Sequence, residues 1–86
     1  MCRNAASNVQ LEQMIEQLDD HVALEYRWSH KIAHTARDAG LITAAEKLHT
    51  VQDMLAEVRA CLAETKLAIE TDSLAAPANE ATAHLV

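Results

Sequence analysis

At 86 residues the chain has room for one domain at most. Thirteen acidic against seven basic side chains leave a net charge of −6, which argues against general binding to nucleic acid or anionic membranes. No stretch approaches the ~20 apolar residues of a membrane span, and Met1 to Gln10 lacks the apolar centre of a secretory signal, so a cytoplasmic protein is expected.

Residues 1–7 read as a frayed N-terminus. Ser7 followed by Gln10 has capping-box spacing, so a first helix is expected over about 8–38. Acidic Glu12, Glu16, Asp19 and Asp20 lie in its first half, and Arg27, Lys31 and Arg37 in its second. That order complements the helix dipole. Gly40, the only glycine, suits the left-handed residue that ends a helix, with Leu41 as the apolar residue after it.

The turn is expected over 39–43. Thr43 and Glu46 have the spacing of a second capping box, which predicts a second helix over about 44–70. Residues 73–86 contain Pro77 and no sustained apolar face, and read as a mobile C-terminal tail beyond a hairpin spanning 8–72. Nothing alternates with period two, so no strand is expected.

Two apolar seams run away from Gly40. Leu11, Ile15, Leu18, Val22, Ile32, Ala36 and Ala39 recur at steps of three and four upstream. Ala44, Leu48, Val51, Leu55, Val58, Leu62 and Ile69 do so downstream. The predicted class is all-α: an antiparallel two-helix hairpin. One hairpin gives each helix a single neighbour, too little to build a core. Pairing of two copies into a four-helix bundle is therefore expected. Its core would be Leu11, Ile15, Leu18, Val22 and Ile32 with Leu48, Val51, Leu55, Val58 and Leu62.

Glu25 and Ser29 interrupt the first seam, level with Val58 and Met54 on the second helix. A carboxylate there needs a partner, and Arg59 or Arg27 is near enough in level. The simplest role is to fix register and oligomer state. Cys2 and Cys61 form no metal or redox spacing, and Cys61, beside the second seam, reads as a small buried hydrophobe.

Function is sought on the outer faces. Arg27, Lys31, His34 and Arg37 recur every three or four residues, and Trp28 flanks them. Arg and Trp are common anchors of interfaces, so this strip is the expected site for a protein partner. The same strip would also suit structured RNA.

Four of the five histidines lie between His21 and His49. His30 and His34 share a helix face, and Glu46 and His49 share another near the turn. Those four have the types and spacing for zinc, although no cofactor is required by the fold.

His30 or His34, beside Arg27, Lys31 and Arg37, also has the surroundings of a phospho-accepting histidine. The stretch His30-Lys31-Ile32-Ala33-His34-Thr35-Ala36-Arg37-Asp38-Ala39-Gly40 faintly resembles the signature of histidine-containing phosphotransfer domains. Counted from His30, Ala36 and Gly40 match, while Ala33 and His34 stand where that family has Lys and Gly. Counted from His34, Arg37 replaces the Lys and Asp38 the Gly. The resemblance covers about a fifth of the chain and implies a signalling role. A helical-hairpin interaction module, acting as a regulator or adaptor, is the leading expectation. With one glycine and no Ser–His–Asp arrangement, enzyme chemistry is not expected.

Overall fold

The computed structural model describes residues 7–75, which form two helices, α1 (Asn8–Asp38) and α2 (Ile42–Ala75), packed antiparallel. The expected stretches 1–6 and 76–86 lie outside the described residues.

Both ends of α1 follow from local chemistry. The Gln10 backbone N–H donates to Ser7 Oγ at 3.1 Å, and the Ser7 N–H donates to Gln10 Oε1 at 3.0 Å. The box occupies two of the donors a helix start leaves without partners. At the other end Gly40 takes φ +82°. There the Leu41 N–H donates to the Ala36 carbonyl and the Gly40 N–H to the Arg37 carbonyl, both at 2.9 Å. This is the Schellman arrangement, which needs a left-handed residue at Gly40.

The next helix begins sooner than expected. The Leu41 carbonyl accepts from the Ala45 N–H at 3.0 Å, so α2 starts at Ile42 rather than near Ala44. Leu41 closes one helix through its N–H and opens the next through its carbonyl. Thr43 and Glu46 therefore fall inside the first turns of α2, and their expected box is not the cap. The far end also moves: α2 continues through Thr71, Asp72 and Ser73 to Ala75. There it runs beside the start of α1, and Asn8 Nδ2 donates to Ser73 Oγ. Residues 73–75 thus belong to the helix and not to a tail.

The seam between the helices is displaced from the predicted one. On α1 the least exposed positions are Glu12, Ile15, Asp19, Val22, Ala23, Tyr26, Ser29, Ala33 and Ala36. Ile15, Val22 and Ala36 were expected there. Leu11, Leu18, Glu25 and Ile32 sit one residue further round the helix and remain exposed. On α2, Ala45, Leu48, His49, Gln52, Leu55, Leu62, Lys66 and Ile69 are the least exposed, while Val51 and Val58 are exposed.

Two facts account for the shift. Near the turn, Ala33 and Ala45 are wholly enclosed, and their small side chains allow the helices close together. Towards the open end, charged pairs bridge the seam, with Asp19 and Glu16 on α1 meeting Arg59 and Lys66 on α2. Glu25 consequently has no place in the contact between the helices, and Arg59 is taken by Asp19. Ser29 is buried and is satisfied locally, donating to the Tyr26 carbonyl at 2.8 Å. Cys61 is exposed, against expectation, because it lies beyond the edge of the α2 seam.

Among the described residues the buried hydrophobic core is Val22, Ala33 and Ala45, and no large side chain is fully enclosed. The apolar arc of each helix is wider than one neighbouring helix can cover.

Candidate interaction surface

The seam divides the remaining surface into two unlike flanks. Helical spacing from the buried residues puts Leu11, Leu18 and Ile32 of α1 on the same side as Val51 and Val58 of α2. Met14, Trp28 and Met54 border that side. Exposure is 51% at Leu18, 53% at Trp28, 46% at Ile32, 43% at Val58 and 59% at both methionines. One or two exposed apolar residues would be ordinary; a continuous row along both helices is not. Glu25 and His21 are the polar residues in its middle.

The opposite flank is polar. A groove of about 480 Å³ opens there, floored by Ile15, Leu62 and Ala63 and walled by Glu16, Asp20 and Arg59. Arg59 Nε and Nη2 donate to the two Asp19 carboxylate oxygens at 2.9 and 3.1 Å, a bidentate pair. The hydrogen bond from Arg59 holds the Asp19 carboxyl below its ordinary range; partial desolvation opposes this, and the Arg59 charge adds to it. Lys66 Nζ donates to Glu16 Oε2 at 2.6 Å, and that bond raises the Lys66 ammonium above its usual value. The groove's cations are already matched to its carboxylates, so it reads as a cross-helix clasp. Sequence reasoning missed these pairs. The signal was opposite charges at level positions on either side of Gly40.

The expected partner strip lies on α1 away from α2, and Arg27, Trp28, Lys31, His34 and Arg37 are all exposed. Lys31 Nζ sits 5.3 Å from the centre of the Trp28 ring, a cation–π approach. Leu24, Arg27, Trp28 and Lys31 line a shallow depression of about 150 Å³. Trp28 therefore belongs to both surfaces: its position joins the basic strip to the apolar flank.

The histidines are only partly brought together. The His30 and His34 rings stand edge to face, centroids 4.4 Å apart. Gln52, buried in the seam, holds its Nε2 3.0 Å from His30 Nδ1. When the amide donates to Nδ1, the proton of a neutral His30 ring sits on Nε2. Glu46 and His49 do not complete the cluster: among the described residues, no group of three or more His, Cys, Asp or Glu is placed to hold a metal ion. The four residues expected for zinc, His30, His34, Glu46 and His49, are thus not gathered at one point.

No helix among the described residues is long and apolar enough to cross a membrane. Neither a family model, nor a curated protein, nor a solved structure matches the chain.

Proposed function

We propose that this protein is a small cytoplasmic interaction module, a regulator or adaptor that works by binding and not by catalysis. Two hairpins pair through their apolar flanks into a four-helix bundle, and the outer strip of α1 receives a protein partner. The observation that carries this reading is the row of half-exposed apolar side chains beside a core too thin to sustain the hairpin alone.

The strip supplies the second half of the reading. Arg27, Lys31, His34 and Arg37 lie outside the cross-helix ion pairs, which use Arg59 and Lys66. A basic strip with an aromatic anchor suits an acidic protein surface. It also keeps the docking site clear of the bundle core except at Trp28.

Thermal melting at several protein concentrations tests the assembly. A chain that folds by pairing melts at higher temperature as concentration rises. Val58→Glu places a charge in the apolar flank and should lower the melting temperature and remove that dependence. Reversing Arg27, Lys31 and Arg37 to Glu should leave the dependence intact. A wild-type melt independent of concentration would contradict the pairing.

A further inference from the structure

We infer that the two copies pair head to tail, in one register, about a two-fold axis that runs along the apolar flank at the level of Ala23 on α1 and Val58 on α2. The inference rests on the pairing proposed above and specifies its partner surface.

The register follows from the order of residues along the flank. Ala23 is the midpoint of Asn8–Asp38, and Val58 lies at the middle of Ile42–Ala75. An axis there overlaps the two hairpins along their whole length, about 50 Å for α2. It lays α1 of one copy antiparallel on α1 of the other. Leu18 then faces Trp28 of the second copy, and Met14 faces Ile32. The two Val58 side chains meet at the axis. His21 faces Glu25, and symmetry makes that pair twice. The polar interruption of the flank thus becomes self-complementary: each carboxylate accepts from an imidazole N–H of the other copy. An isologous interface demands this matching, and an unrelated partner would not.

Charge points the same way. Glu12, Glu16, Glu64, Glu70 and Asp72 outweigh Lys66 at the open end of the hairpin, while nearer the turn Arg27, Lys31, Arg37 and Lys47 roughly balance Asp38, Glu46 and Asp53. Head-to-tail pairing keeps the two acidic open ends apart and sets each beside a nearly balanced one. Pairing with both turns at one end would stack the acidic ends. It would also set Glu25 against Met54 and Val58 of the second copy, with no donor.

The area is adequate. The eight half-exposed side chains present on the order of 100 Å² each, so roughly 800 Å² per copy, the size of a standard specific interface. The two basic strips then emerge towards opposite ends of the bundle, so one dimer can hold two partners.

Two measurements on the full chain test this. The first uses Cys2→Ser and Cys61→Ser with Thr43→Cys as the only labelled site, at the turn. Spin labels there should lie on the order of 50 Å apart in the dimer. A dimer with labels within about 20 Å would overturn the head-to-tail arrangement while leaving self-association standing. A monomer by mass would instead overturn the pairing beneath it.

The second measurement is a charge exchange. His21→Glu alone sets like charges face to face and should weaken dimerisation about tenfold or more. His21→Glu combined with Glu25→His restores opposite partners in the same register and should recover most of that loss. A single variant that dimerises as tightly as wild type, or an exchange that recovers nothing, would overturn the register.

Discussion

Replacing Ala33 by Leu should destabilise the hairpin strongly, although Leu is a good helix former. Ala33 is wholly enclosed on α1 and lies near the turn, where Ala45 on α2 is wholly enclosed too. Ala and Leu differ little in helix propensity, so the substitution isolates packing from backbone preference. Leu adds three carbons at a position that neighbouring atoms already shut off from solvent. Overpacking of this kind costs about 1–3 kcal/mol as helices separate or rotamers distort. For a domain of this size each kcal/mol lowers the melting temperature by roughly 4–8 °C, so a fall of about 5–20 °C is expected. The assay is circular dichroism at 222 nm, roughly the helical band, at one fixed concentration because the melt couples to association. Ala56→Leu, at an exposed position of α2, is the control and should change the melt by less than about 3 °C. Equal melting temperatures for Ala33→Leu and wild type would refute the claim that close approach near the turn sets the helix rotation. So would a large loss in both variants.

Three further outcomes follow from the geometry. Gly40→Ala should cost about 1–2 kcal/mol in urea unfolding: φ is +82° and nothing lies near the added Cβ, so the loss is purely one of backbone strain; an unchanged midpoint would contradict the Schellman turn. Asp19 is held below its ordinary carboxylate value of 3.8, so its contribution is fully present above that value and lost as pH falls through the lowered one. Melts taken from pH 7 down to about 2 should show a shallower acid loss in Asp19→Asn than in wild type, and identical slopes would count against the pair. Gln52→Leu should free His30 Nδ1 from its amide partner, visible as a changed ¹⁵N tautomer signature for that ring; an unaltered signature would show that the 3.0 Å contact does not fix the proton.

The parts of the fold legible from sequence were those set by local chemistry. Ser7 with Gln10, and Gly40 with Leu41, specify the two ends of α1 through bonds spanning only a few residues. The apolar periodicity likewise specifies two helices. Which stripe of each helix meets the other is a different matter, because Leu11, Leu18 and Ile32 compete with Ile15, Val22 and Ala36 for one neighbour. That competition turns on packing at the enclosed Ala33 and Ala45 and on Asp19 reaching Arg59, facts about two segments together. The same nonlocal choice exposes Cys61 and Glu25. Thr43 misled because its spacing to Glu46 is right for a cap, while the turn before it is too short to leave it outside the helix.

The separation of the flanks gives the displaced residues a purpose. Residues predicted for a single core divide into a half that closes the hairpin and a half that the hairpin leaves exposed, on which the proposed pairing rests. Ile15, Val22, Leu48, Leu55 and Leu62 belong to the first set, and Leu11, Leu18, Ile32, Val51 and Val58 to the second. A four-helix bundle uses both sets at once.

The most direct test of the account is the solution mass of the full chain by light scattering, measured with and without equimolar zinc. The account predicts a dimer near twice 9.4 kDa in both conditions. A monomer would contradict it, and a dimer that forms only with zinc would transfer the association from the apolar flank to the histidines.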